Sequence, residues 1–362
     1  MAKKKKVDEG FSLAELASTL PNYFEDNKVV QTGVYALDNL LNGGIELGSF
    51  IQLLAEAGVG KSTICLELSK NLCEQGYYVL YIDSENSITK DMMDSTGISQ
   101  VSDNFFLVKE STFDKVEEIL DNFISTNKLS FIVVDSLPGL INPCFTNIGD
   151  KHISVTNNNT NNISGPMTKF MSKYKSLAAS RNIGFILVNQ NRNSVNMKTG
   201  TVLKAYGPKN VAYTSDVIIK ISPIKSKEFR DFATLANGCK DGKALELEIV
   251  KSNKKAPGTA IVGFLKYGVG LIDIWNYIDI LKKSGLVKQT GKYFSINWNG
   301  KEIKMEGISN FVEALIQEEF GLDSFKEMTS SEEITNDDFV ITIDGLDNTD
   351  DFNVEDIDVT LE

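Results

Sequence analysis

The sequence predicts an α/β fold in which a mostly parallel central sheet carries a phosphate-binding turn. A short helix precedes this core, and a small α+β unit and an acidic tail follow it. Three observations carry that prediction. Residues 50–68 read as a strand, a glycine-rich turn ending in Gly60-Lys61-Ser62, and a helix. From residue 50 to residue 190, apolar runs alternate with helical patterns, as βαβ units do. Residues 327–362 hold thirteen acids and no Lys or Arg, a composition that does not build a core.

The elements follow in order. Residues 11–24 place Phe11, Leu13, Leu16, Ala17 and Leu20 at helical spacing before Pro21, an amphipathic helix suited to dock on its own body or on a neighbouring copy. Strand 50–55 leads to helix 61–75, strand 77–83 to a short helix at 90–95, and strand 105–109 to helix 113–125. Strand 131–135 is the run Phe-Ile-Val-Val closed by Asp135, followed by helix 166–181 and strand 184–190. Unbroken apolar runs suit strands covered on both faces. Strands are expected again at 216–221, 245–250 and 260–265. The smaller unit has a helix at 274–283, a hairpin from strand 293–298 with Asn299-Gly300 as its turn, and a helix at 309–320. Residues 154–164, with five asparagines, and residues 191–210 read as long loops, which are usually functional or disordered.

Composition narrows the function classes. With 362 residues, 42% of them hydrophobic and 24% charged, the chain has the make-up of a globular protein of more than one unit. No apolar stretch approaches the ~20 residues that span a bilayer, so no membrane partner is expected. Lys3–Lys6 are followed by no apolar core, so the start is not a secretory signal. Cys65, Cys73, Cys144 and Cys239 form no Cys-x-x-Cys pair, and His152 is the single histidine. That argues against zinc and for reduced thiols in the cytoplasm. The net charge of −12 resides in the tail: without its thirteen acids, 36 acids face 37 bases in residues 1–326.

The chemistry starts at residues 55–63, Ala55-Glu56-Ala57-Gly58-Val59-Gly60-Lys61-Ser62-Thr63. Gly58 and Gly60 let backbone N–H groups face an anion, and the helix that starts near Lys61 adds its positive end. Lys61 reaches the β- and γ-phosphates of ATP, and the Ser62 hydroxyl suits Mg²⁺. Ala55 stands where the pattern has Gly. Asp135 ends an apolar strand, where a second acid holds Mg²⁺ through water. Glu85 follows strand 77–83 and is placed to orient an attacking water. Gln190 ends the strand after Asp135, where an amide can sense the γ-phosphate; a structural amide is the alternative. Loop 191–210 then carries Arg192, Lys198, Lys204 and Lys209 without an acid, beside Val195, Met197, Leu203 and Tyr206. Cations for phosphates and apolar groups for bases suit single-stranded DNA. A solvated face is the alternative, but the position beside Gln190 favours binding.

Taken together, these residues resemble a RecA-type homologous recombinase over residues 31–317. The resemblance includes Thr32-Gly33, Gly43-Gly44-Ile45, the phosphate turn, Ile82-Asp83-Ser84-Glu85 and Ile132-Val133-Val134-Asp135-Ser136. It continues through Gly149-Asp150-Lys151-His152, Val188-Asn189-Gln190, Ile249-Val250-Lys251, Ala256-Pro257 and Tyr267-Gly268-Val269-Gly270. It implies a RecA-like ATPase core at 31–267, an N-terminal oligomerisation segment at 1–30, a small domain at 268–326 and an acidic disordered tail at 327–362. It also implies a DNA-dependent ATPase with ATP and Mg²⁺, forming helical filaments on single-stranded DNA and exchanging strands with a homologous duplex. Single-strand-binding and mediator proteins are the implied accessory partners.

By the same resemblance Glu85 is the catalytic carboxylate, Lys61 and Ser62 bind phosphate and Mg²⁺, Asp135 is the metal-side acid and Gln190 the switch. Residues 142–164, with Lys151 and His152, and 191–210 correspond to two DNA-binding loops. Lys251 corresponds to the first of two lysines that touch a neighbouring subunit's ATP. The second falls at Asn253, with Lys254 the nearest substitute. An adenine-stacking aromatic falls at Met92. These departures, the Asn-rich stretch and the short N-terminal segment point to a phage-encoded relative acting in a bacterial host cytoplasm. A ring-forming motor and a mediator without exchange activity are the alternatives. Lys251 and the small C-terminal unit argue against the first, and the intact Lys61, Ser62, Glu85 and Asp135 against the second.

Overall fold

A computed structural model describes residues 28–101, 103–141, 163–196, 200–224, 242–318, 320 and 324. The expected N-terminal helix, Lys151, His152, Lys198 and the acidic tail lie outside the described residues. The described chain opens with β1 (Val29–Val30), α1 (Tyr35–Leu40) and β2 (Ile45–Glu46), a small ribbon the sequence reading did not anticipate. The turn into α1 is held by side chains, with Thr32 N–H donating to Asp38 Oδ1 at 2.6 Å and Val34 N–H to Thr32 Oγ1 at 3.1 Å.

The core follows as β3 (Phe50–Ala55), α2 (Lys61–Glu74), β4 (Val79–Asp83), α3 (Lys90–Thr96), β5 (Phe105–Val108), α4 (Phe113–Ser125) and β6 (Phe131–Asp135). Next come α5 (Ser164–Arg181), β7 (Gly184–Asn196), β8 (Gly200–Ala205), α6 (Lys209–Thr214) and β9 (Val217–Pro223). Then β10 (Gly242–Lys251), β11 (Ala260–Lys266) and β12 (Gly270–Leu271) complete one sheet of ten strands. Its order is β12-β11-β10-β9-β3-β7-β6-β4-β5, with β8 paired to β7. From β9 to β5 every pairing is parallel, and β10 to β12 are antiparallel.

Alternate residues of the parallel strands feed two cores, as a period of two requires. Val79, Tyr81, Val133, Ile186 and Val188 pack with Ile64, Cys65, Leu68 and Leu72 of α2 on one face. Leu80, Ile82, Ile132, Val134 and Leu187 pack with Val116 and Leu120 of α4 and Phe170 and Tyr174 of α5 on the other. A smaller unit holds α7 (Ile274–Lys283), β13 (Lys288–Thr290), β14 (Tyr293–Trp298), β15 (Lys301–Glu306) and α8 (Ile308–Gln317). Its core, with Ile278, Leu281, Ile296, Phe311 and Leu315, includes Val262 and Phe264 of β11. Among the described residues no helix is long and apolar enough to cross a membrane.

One expectation is corrected. Within the expected loop 191–210, residues 191–196 and 200–205 are strands: β7 runs on to Asn196 and pairs with β8 from Asn191↔Ala205 to Asn196↔Gly200. The half of β7 inside the sheet is apolar and reads as a strand. The outer half is polar because it leaves the sheet, and only its ladder with β8 makes it regular.

Candidate active site

Parallel pairing gathers the expected residues on one edge of the sheet. Ala55 stands opposite Gln190 and Asp83 opposite Asp135 in the register. The C-terminal ends of β3, β4, β6 and the inner part of β7 therefore open on one crevice, the usual ligand position in such sheets.

The 56–60 turn has Gly58 at φ 72° and Gly60 at φ 106°. A Cβ on Gly60 would also lie 2.3 Å from Leu265 Cδ2, so the sheet's antiparallel side presses on the turn. Val59 is buried and anchors the turn, while Glu56, Ala57 and Gly58 are exposed. The fourteen-residue α2 starts here with no acid in its first turn, which leaves its positive end open to an anion. Ser62 and Thr63 are half-buried in that turn.

Lys61 is 7% exposed, and its Nζ donates to the carbonyls of Ala55 at 3.2 Å and Glu56 at 2.8 Å. Burial lowers its pKa, opposed by Asp135 and Glu85. Asp135 is buried and bonded by the Ser62 hydroxyl and by Tyr81 Oη at 2.6 Å. Burial pushes its carboxyl up; those two hydrogen bonds pull it down, and the charges of Glu85 and Asp83 push it up again. Among the described residues no group of three or more His, Cys, Asp or Glu side chains is arranged to hold a metal on its own.

Glu85 is exposed at the crevice, and its Oε1 accepts from Gln190 Nε2 at 3.2 Å and from Ser136 Oγ. The loop that carries it is pinned from behind. Asp83, fully buried, accepts from Ser87 N–H at 3.0 Å and Ile88 N–H at 2.9 Å, and Lys109 lies 3.8 Å away. Lys61, Ser62, Glu85, Asp135 and Gln190 are thus brought together.

Gln190 also roots the hairpin. Its carbonyl accepts from Tyr206 N–H at 3.0 Å, and Asn189 Nδ2 donates to Tyr206 O at 2.9 Å. Tyr206 is half-buried against the core at the hairpin's base. Arg192 and Lys204 share one register position farther out, and Lys209 opens α6.

Lys251 and Lys254 are not brought to this crevice. Lys251 Nζ donates to the carbonyls of Ala212 at 3.0 Å, Tyr213 at 2.9 Å and Ser215 at 2.5 Å, capping α6. Lys254 pairs with Glu46 at 2.7 Å, beside a pocket of about 250 Å³ lined by Ser49, Ile51 and Asp216. That pocket is at the start of β3, whereas the phosphate turn is at its end. Met92 is half-buried against the core.

Sequence reasoning missed Lys243 as a neighbour of the site, and it gave no role there to Tyr81, Ser136 or Tyr267. Lys243 Nζ donates to Gly58 O at 2.7 Å and lies 5.4 Å from the ring centroid of the half-exposed Tyr267. No local pattern signals this approach, which depends on the order of strands in the sheet.

A family model described as the RecA N-terminal domain matches residues 5–271. The protein RecA of Arthrobacter sp. (strain FB24) is 26% identical over 310 residues, covering 82% of this chain and 83% of the relative. The protein RecA of Wolbachia sp. subsp. Brugia malayi (strain TRS) is 24% identical over 316 residues, covering 85% and 83%. Among solved structures, the crystal structure of the RadB recombinase is similar with a TM-score of 0.48 and 18% identity, covering 67% of this chain and 97% of that one.

Proposed function

Because the chain belongs to the RecA family, we propose that it is an ATP-dependent recombinase that assembles on single-stranded DNA and pairs it with a homologous duplex. The observation that carries this reading is the 3.2 Å contact between Gln190 and Glu85. It joins the candidate catalytic carboxylate to the strand whose far end is the basic hairpin.

In this reading the backbone N–H groups of residues 56–61 and the open end of α2 hold the phosphates. Lys61 exchanges two neutral carbonyls for phosphate oxygens, stronger partners for an ammonium. Ser62 and Asp135 fit Mg²⁺, because a buried acid beside other acids gains a counter-charge. Mg²⁺ itself needs only one or two protein ligands and keeps its waters. When bound, the ion draws charge from the phosphate oxygens. Glu85 takes the proton of the attacking water. Gln190 can trade Glu85 for the γ-phosphate and pass the change to Arg192 and Lys204. Tyr267 offers the nucleobase the aromatic face that Met92 lacks. Lys251 and Lys254, at the opposite end of β3, are suited to a neighbouring subunit's nucleotide. The 31–267 core carries this chemistry, and the 268–326 unit flanks it.

The test is joint-molecule formation from single-stranded DNA and supercoiled duplex with ATP and Mg²⁺. Product with homologous pairs alone is expected. ATP turnover stimulated by single-stranded DNA, but with no product, would move the assignment to a motor or a mediator.

A further inference from the structure

Two donors meet one oxygen of Glu85. Ser136 Oγ and Gln190 Nε2 both bond Oε1, and among the described residues Oε2 accepts nothing. The donors differ in how they are held. Gln190 is half-buried at the root of the hairpin. Ser136 is 1% exposed and locked through its backbone. Its N–H donates to Ser84 Oγ at 2.8 Å, and its carbonyl accepts from that hydroxyl at 2.6 Å. Ser84 N–H in turn donates to Asp135 O at 2.8 Å. Ser84 immediately precedes Glu85, so hydroxyl and carboxylate are mounted on one fastened pair of strand ends. Gly139 closes over them: a Cβ there would lie 2.3 Å from Ser84 Oγ and 2.8 Å from Glu85 Cγ.

We propose that Ser136 is the positioning residue of Glu85: its hydroxyl holds Oε1 through turnover and leaves Oε2 as the oxygen that receives the proton of the attacking water. The inference rests on the reading of Glu85 as the base. In the step, a water O–H gives its proton to Oε2 as the water oxygen bonds the γ-phosphorus. The bond to the β,γ-bridging oxygen breaks, and its electron pair leaves with ADP. A carboxylate pinned at one oxygen presents the other in one direction, and fixed orientation is gained in rate rather than in affinity. When Gln190 departs for the phosphate, Ser136 is the donor that stays, so the base does not swing as the switch is thrown.

The experiment is steady-state ATP turnover by the full-length chain with Mg²⁺ and saturating single-stranded DNA, with fluorescent-ATP affinity measured alongside. Ser136→Ala should lower kcat by roughly 10- to 100-fold, the scale of a misplaced catalytic group, with KM and nucleotide affinity within about twofold. Ser136→Cys, a weaker donor of similar size, should fall between Ser136→Ala and the parent. In a Glu85→Gln background, Ser136→Ala should cost nothing further, since the group it orients is gone. A kcat near the parent's in Ser136→Ala while Glu85→Gln is inactive overturns the proposal. So does a raised KM at unchanged kcat, or a full additional loss in the Glu85→Gln background. Undiminished turnover in Glu85→Gln overturns the reading of the base instead. Should Ser136→Ala fail to fold, Ser136→Cys alone and paired with Glu85→Gln gives the same decisions.

Discussion

Glu67 sits on the helix that starts at the phosphate turn, and it is a carboxylate with little water. Its Oε2 accepts from Leu271 N–H at 2.7 Å, tying α2 to β12. Burial raises its pKa to about 8, the Leu271 bond and Lys70 pull back, and Asp273 adds to the rise. Asp273, which accepts from Tyr35 N–H at 2.8 Å, is raised to about 7, chiefly by burial, with the Tyr35 and Ala36 amides opposing and Asp38 adding. Both folded pKa values exceed the unfolded ones, so the folded chain holds protons that the unfolded chain has already released. Their contribution to stability is fully present below about pH 4 and is lost as pH rises to about 8. The loss is at most about 1.4 kcal/mol per pH unit for each group. The melting temperature is therefore expected to fall between pH 6 and pH 8.5, and Glu67→Gln to flatten that slope and raise stability at pH 8. An unaltered slope in thermal melts of Glu67→Gln would show that Glu67 is ionised in the folded chain. At this scale the phosphate turn was legible because its residues are consecutive. Glu85, Asp135 and Gln190 were legible because each ends an apolar run. Lys243, and the contact of Ser136 with Glu85, were not, since nothing adjacent in sequence reports which strand lies beside which.

Among the elements, the β7–β8 hairpin makes the sharpest prediction. It puts Arg192 and Lys204 at one register position, and the proposed function makes both of them contacts to DNA phosphates. Replacing both with Ser should weaken single-stranded DNA binding and reduce the slope of log affinity against log salt by about 1 to 2. ATP turnover without DNA should persist. Fluorescence anisotropy across a salt series measures this, and an unchanged slope would take both residues out of the DNA contact. Elements with strong periodicity matched their sequence reading: helix 113–125 and strand 131–135 have the expected bounds. The hairpin did not, because hydrophobic alternation marks burial and its strands leave the core. Helix α1 was missed for a related reason: at six residues it is too short for a periodic stripe, and side-chain bonds of Thr32 and Asp38 shape the turn into it.

For the whole molecule, charge is divided rather than spread. The acids of 327–362 give the chain its −12, while the remainder is almost neutral and carries the basic hairpin. An anionic segment on the same chain competes with DNA for basic surface, and divalent cations screen it. Deleting residues 327–362 should speed binding to duplex DNA at low Mg²⁺, with the difference shrinking as Mg²⁺ rises. Equal binding rates at every Mg²⁺ level would remove the tail from this role. Finally, β7 is one strand from Gly184 to Asn196. Under the proposed function it would work as a lever, with its inner arm paired within the sheet, its fulcrum at Gln190 and its outer arm paired with β8. At about 3.3 Å per residue the outer arm is about 20 Å long, so a tilt of about 10° at the fulcrum moves Asn196 by about 3.5 Å. A lever works from either end. In the proposed function, whatever free energy bound nucleotide adds to the grip of the outer arm on a strand, a strand gripped there adds in equal measure to the binding of nucleotide.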